Sequence, residues 1–178
     1  MKIRYAVLGA LALSTGAHSQ APTSAAPPAP PAPPARGPSL ELALQAAHVA
    51  IETCSAKGFN VGVSVIDSGG VLKALLASDG TSARGVQSSN NKATTALTFK
   101  DATSHLGELV KSDKALADQV AANTNFNVRA GGVLLRVNGD VVGAIGVGGA
   151  RGSENDEACA LAAAQAIQAR LTAALSSG

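Results

Sequence analysis

The chain has 178 residues and a formal charge of +2, with 46% hydrophobic but only 2% aromatic residues. Two of its 14 basic residues, Lys2 and Arg4, belong to the extreme N-terminus; without them 12 basic residues face 12 acidic ones, so the basic balance is a property of that leader. With no basic stripe and almost no rings to stack on bases, this composition argues against a nucleic-acid binder.

Residues 1–19 read as a secretory signal peptide. Lys2 and Arg4 supply the positive start, "YAVLGALALSTGA" is an apolar run too short to span a bilayer, and "AHS" before Gln20 is a small-x-small cleavage site. The expected location is therefore periplasmic or secreted. No cysteine follows the apolar run, which argues against a bacterial lipid anchor, and no later segment reads as a membrane span. Residues 20–38 hold all eight prolines, from Pro22 to Pro38, and read as a semi-rigid, polyproline-like tether. Residues 39–178 are then one domain whose core must come from Val, Leu, Ile and Ala with Phe59, Phe99 and Phe126.

Ser39 is placed to cap a helix whose apolar residues fall at Leu40, Leu44, Ala47, Ile51 and Cys54, with Gly58 ending it. "NVGVSVID" alternates as a half-buried strand, "DSGG" is a turn, and "VLKALLAS" returns as the hairpin partner. Residues 82–111 are helical in pattern, with a break expected near Lys100 to Thr103, and "DKALADQVAAN" predicts another short helix. "GGVLLRV" and "VVGAIGVGG" flank an Asn-Gly turn and predict a second hairpin. Ser153 is placed to cap an alanine-rich helix from Glu154 to about Leu175. Two hairpins covered by helices, in the order α-β-β-α-α-β-β-α, predict an α+β fold with an antiparallel sheet.

The junction "VVGAIGVGGARGSENDEA" joins a strand, a glycine loop and a helix start, an arrangement able to hold an anion on backbone N–H groups. As a dinucleotide fingerprint it fails, because Arg151 stands where a third glycine is needed, and no Gly-Lys-Ser/Thr is present. Two readings stay open: glycines that cradle an anion, through Gly146, Gly148 and Gly149, or glycines that allow a bulge and close strand–helix packing.

"GGVLLRVNGDVVGAIGVGGARGSENDEACALAAAQAI" resembles the C-terminal block of the GlcG/HbpS family. "VGVSVIDSGGVLKALLASDG" is similar to that family's first hairpin, and "NNKATTALTFKDAT" to its central helix, with Lys92, Ala93, Thr95 and Ala96 at matching places. The likeness runs from Leu40 to Leu171, departing at Gly148, where the family usually has Ser, and after Gly132, where it often has Pro. The resemblance implies a self-associating α+β domain, exported in several relatives, with haem binding or haem degradation attributed to the family. Related domains, such as the C-terminal domain of PduO, occur beside corrinoid enzymes, and others sit in glycolate-utilisation operons.

A haem would need a ligand, and after the leader the usual types are His48, His105, Cys54 and Cys159. His48 falls with Glu41, Gln45 and Glu52 on a polar helix stripe; His105, early in a helix, is the metal-ligand candidate. Lys92, Thr95 and Phe99 share a helix face, where they suit a propionate, a weak oxygen ligand and a porphyrin plane, or else are core and a snorkelling lysine. Arg129 is a further carboxylate partner. Asp156 and Glu157 fit the dipole at the start of the last helix, with Ser153 to Asp156 in capping-box-like spacing. No zinc, EF-hand or Ser-His-Asp motif is legible. Cys54 and Cys159 are equally compatible with buried thiols and with a disulfide between the first and last helices.

Three functions are compatible with these residues. The first is an exported haem- or tetrapyrrole-binding protein, with or without a weak redox or haem-degrading activity. The second is an enzyme or accessory subunit holding a small organic acid at the glycine loop beside Arg151. The third is a ligand-free structural homo-oligomer assembled through its alanine-rich helices.

Overall fold

The structure, a computed structural model, describes residues 34–176. The signal-peptide reading and most of the proline tether lie outside the described residues.

Ser39 accepts a hydrogen bond from the Leu42 amide and starts α1 (Leu40–Ser55). Strands β1 (Gly62–Asp67) and β2 (Leu72–Ala77) form the first hairpin, its turn held by Asp67 Oδ1, which accepts from the amides of Gly69 and Val71. Ser82 caps α2 (Ala83–Phe99), and Lys100, at φ 55°, ends it in the left-handed region. The break expected there separates α2 from α3 (Thr103–Leu109), and Asp113 caps the short α4 (Lys114–Ala121). The second hairpin, β3 (Gly132–Val137) and β4 (Asp140–Gly148), turns through Asn138 and Gly139 at φ 52° and 90°. Both central residues at positive φ are what an Asn-Gly hairpin turn requires. The chain closes with α5 (Ser153–Ser176), in which Ser153 is the first helical residue rather than the cap the sequence suggests.

All pairings are antiparallel, in the order β2-β1-β4-β3, so the two hairpins meet along β1 and β4. This is the expected α+β architecture. One sheet face sends Val63, Val65, Val133, Leu135, Ile145 and Val147 into the main core under α1 and α5. The other face packs Ile66 and Ala144 against Ala93 and Ala96 of α2.

The buried face of α1 differs from the expected one. Leu42, Ala43, Ala46, Ala47, Ala50 and Cys54 face inward, whereas Leu40 and Leu44 are 57% and 37% exposed. Small side chains let α1 lie close to α5 and the sheet, so the alanines, not the outer leucines, define the contact. A second correction concerns α5, which by length and composition alone is apolar enough to cross a membrane, contrary to the sequence expectation. In the fold Cys159, Ala160, Ala163, Ile167 and Leu171 of α5 are buried in the main core.

Of the two readings for the cysteines, the disulfide is the one found. Cys54 at the end of α1 and Cys159 in the second turn of α5 are bonded, with Cα atoms 5.7 Å apart and both residues fully buried. The bridge spans 105 residues, a long loop to constrain in the unfolded chain. Reduction, or the double replacement Cys54→Ala/Cys159→Ala, is expected to lower stability by about 2–4 kcal/mol. An unchanged urea midpoint in the double variant would show that the bridge contributes nothing.

Candidate functional site

The site begins with a close approach of two backbones. A Cβ at Gly146 would overlap the carbonyl oxygen of Ser89, and one at Gly148 would lie 2.6 Å from the carbonyl oxygen of Gly85. Only hydrogen side chains on β4 allow α2 to settle this near. The packing reading therefore accounts for Gly146 and Gly148.

The face that α2 turns inward includes Gly85, Ser89, Lys92 and Ala96. Ser89 exchanges a 2.8 Å hydrogen bond with Ser64 on β1. Lys92, 2% exposed, donates to the carbonyl oxygen of Val147 at 2.9 Å and to Asp156 Oδ2 at 2.6 Å. The other oxygen of Asp156 accepts from the Ala150 amide at 2.9 Å, and the residue is 3% exposed. An ion pair thus ties α2, β4 and the start of α5 together beneath the glycine loop. Burial pushes the Lys92 ammonium below the ordinary lysine range; Asp156 acts against that push, and nearby Arg129 adds to it.

Thr95 works beside this pair. Its hydroxyl donates to the carbonyl oxygen of Asn91 and accepts from the Asn127 amide at 2.8 Å. Asn127 in turn donates to Ser88 Oγ and accepts from the Arg129 amide. The segment after α4 is so laid across α2, with the exposed Arg129 at its end.

Two cavities open on either side of Arg129. One, of about 600 Å³, has Lys92 and Asp156 in its lining, with Arg84, Ser88, Asn91 and Asn127. The other, of about 520 Å³, is lined by His105, Ser104, Val128, Ala130 and Glu157 together with Arg129. His105 Nδ1 lies 2.5 Å from Asp101 Oδ2 and, facing a carboxylate, must donate to it. That bond fixes the ring and leaves Nε2 as the nitrogen able to bind a metal. Glu157 accepts from Ser104, pinning α3 to α5.

Of the residues singled out from the sequence, Lys92, Arg129 and Gly149 line the first cavity, and Arg129 and His105 the second. Thr95 is buried and holds the covering segment, Phe99 packs edge-on against Phe126 with ring centroids 5.1 Å apart, and Gly146 and Gly148 lie against α2. Sequence reasoning did not reach Arg84, Asp101 and Asn127, and it assigned Asp156 to the helix dipole rather than to Lys92. One signal was there: Lys92 recurs with Gly85, Ser89 and Ala96 on a face of small residues, where a charge needs a partner. Among the described residues no group of three or more His, Cys, Asp or Glu is arranged to hold a metal ion.

A family model described as haem degrading protein HbpS-like matches residues 39–165. No curated protein matches the chain. Among solved structures, a double mutant of HbpS from Streptomyces reticuli is similar at 30% identity and a TM-score of 0.69, over 82% of this chain and 99% of that one. Protein ORFY of Klebsiella pneumoniae aligns at 25% identity and a TM-score of 0.71, over 78% and 95% of the two chains. PduOC in complex with haem aligns at 24% identity and a TM-score of 0.67, over 74% and 95%, a likeness of fold alone.

The buried pair makes a direct stability test. Lys92→Met leaves Asp156 buried beside no countercharge and is expected to cost about 3–5 kcal/mol, whereas Lys92→Met/Asp156→Leu recovers most of that loss. Urea denaturation of the three proteins decides it; a double variant no better than the single one would mean that pairing is not what Lys92 contributes.

Proposed function

The chain belongs to the HbpS-like family, and we propose that it is an exported haem-binding protein whose iron ligand is His105. The observation that carries the proposal is the His105–Asp101 pair, opening onto the same cavity as Arg129. Haem binding asks for an axial ligand, a cation for the propionates and an apolar surface for the ring. Among the described residues both cysteines are in the disulfide, and methionine and tyrosine are absent, so His48 and His105 are the usual ligand types left. His105 has its Nδ1 held by a carboxylate, an arrangement that orients a metal-binding imidazole. Arg129 stands ready for a propionate, and Val128 and Ala130 give the cavity its apolar side. His105, Arg129, Val128 and Ala130 suit a haem held at the surface of the domain by one face, with its propionates at Arg129 and away from Glu108, Glu154 and Glu157 in the same lining.

Bound haem would supply one-electron and dioxygen chemistry at its iron. The chain's own part is to present Nε2, to neutralise a propionate and to keep α3 beside α5 through Ser104 and Glu157. A weak redox or haem-degrading activity is the extended form of this proposal. Its family description and the haem held by PduOC on the same fold favour it. Export to the periplasm or beyond is favoured by the leader and by the Cys54–Cys159 disulfide, since such bridges persist in oxidising compartments.

Self-association completes the reading. Val71, Leu72 and Leu75, on or beside edge strand β2, are 56%, 46% and 45% exposed. Leu72 and Leu75 pair with Ile66 and Ser64 and so stand on the α2 side of the sheet. An unpaired edge with exposed leucines is suited to a second copy. Light scattering is expected to find an oligomer that Leu75→Lys weakens; a monomeric native protein removes this part.

Haemin titration of the purified protein, followed by Soret absorbance, tests the ligand. A saturable shift is expected, lost in His105→Ala and weakened about tenfold or more in Asp101→Asn. A shift that survives in His105→Ala but not in His48→Ala assigns the iron to His48, exposed on α1, and overturns the His105 reading. No saturable shift at all ends the haem proposal.

A further inference from the structure

The arginines of the domain divide into two groups. Arg36 is paired with Asp140, Arg136 donates to the carbonyl oxygens of Gly139 and Lys100, and Arg170 grips Glu41 and Gln45. The guanidinium groups of Arg84, Arg129 and Arg151 have no hydrogen-bond or carboxylate partner among the described residues; Arg151 lies at a separate groove beside Gly149, while Arg84 and Arg129 both line the 600 Å³ cavity. Two of these three unspent arginines, which match carboxylates through a planar fork, thus meet at one mouth.

The cavity wall is rich in donors and poor in acceptors. Asn91 Oδ1 already accepts from Gln87, leaving its amide hydrogens to donate. Ser88 Oγ already accepts from Asn127, leaving its own hydroxyl hydrogen. Two protons of the Lys92 ammonium are taken by Val147 and Asp156, and the third remains for the cavity that Lys92 lines. The one acid in the lining, Asp156, is neutralised by Lys92 and occupied by the Ala150 amide. Arg84 and Arg129 therefore stand beside a wall whose Ser88, Asn91 and Lys92 offer protons, with Glu108, Glu154 and Glu157 confined to the neighbouring cavity on the other side of Arg129.

We infer that this cavity, between α2, the segment before β3 and the start of α5, is a binding site for a small dicarboxylate. Arg84 and Arg129 would each take one carboxylate, with Lys92, Ser88 and Asn91 donating to the oxygens between them. The volume is that of a small-molecule site and much exceeds a lone phosphate. The site is distinct from the His105 cavity, which it meets at Arg129 and Ser153, and it requires no haem.

Calorimetric titration with succinate at low ionic strength tests it, with acetate and inorganic phosphate as comparison probes. Succinate is expected to bind saturably, at least about tenfold tighter than acetate or phosphate, and to weaken about ten- to a hundredfold in Arg84→Gln. Arg84 is exposed, so this replacement leaves the core untouched. Arg170→Gln, which removes an equal charge elsewhere, and His105→Ala are expected to bind succinate as the native protein does. The inference is overturned by the absence of saturable heat or by undiminished binding in Arg84→Gln. Equal affinity for acetate or phosphate overturns it too, as does loss of binding in Arg170→Gln or His105→Ala. Because haemin is followed separately in His105→Ala, failure of one site is distinguishable from failure of the other.

Discussion

The approach of α2 to β4 is the constraint on which the remaining structure depends. Where most helices stand off a sheet by the length of their side chains, here Gly146 and Gly148 let the carbonyl oxygens of Ser89 and Gly85 come close to the strand itself. That intimacy leaves no room for bulk on the facing side of α2, hence Ser89, Ala93 and Ala96 there. It also brings the Lys92 ammonium within reach of the Val147 carbonyl oxygen and of Asp156 at the opening of α5. A side chain on β4 would lift α2 and separate the ion pair, so glycine in the strand and charge in the core are one arrangement. Buried charges need such exact partners, since their desolvation is offset only by good geometry and further hydrogen bonds.

From this base the functional surface is assembled by short links. Thr95, one turn beyond Lys92, fixes Asn127, and Asn127 fixes Ser88 and the Arg129 amide. Thr103 accepts from the Gly132 amide and holds α3 against β3, while Glu157 holds it against α5 through Ser104. Arg129 is thereby carried between two cavities on a segment anchored at both ends. A group bound to either cavity would meet the same guanidinium, which gives the two sites a physical means of influencing one another.

Local chemistry was legible in the sequence and distant pairing was not. Asn138-Gly139 and the cap Ser39 speak through neighbours, and each took the expected form; the alternation of Val63 and Val65 marked a strand, but one buried on both faces rather than half-buried, because α2 covers its second face. The inward face of α1 was misjudged because leucine is the stronger hydrophobe by area, while the contact with α5 is decided by proximity and so by alanine. Lys92 and Asp156 are 64 residues apart, and Cys54 and Cys159 are 105 apart. Their pairing depends on how two hairpins order themselves as β2-β1-β4-β3, which no single segment encodes. Asp101 is a different case: at four residues from His105 it was within helical reach, and only the helix break between them hid the pair.

The treatment of Asp156 explains why the cavity above it keeps a positive character in a domain of balanced charge. An exposed acid at that position would compete for Arg84 and Arg129 and close the mouth with internal salt bridges. Instead the carboxylate is drawn under the loop, one oxygen to Lys92 and the other to the Ala150 amide. Glu157, its neighbour, is turned towards Ser104 on the far side. Asp156 and Glu157 are thus occupied in building the floor and the wall, while Glu154 stays exposed on the side of the His105 cavity; Arg84 remains at the rim of the larger cavity for whatever anion enters from solvent.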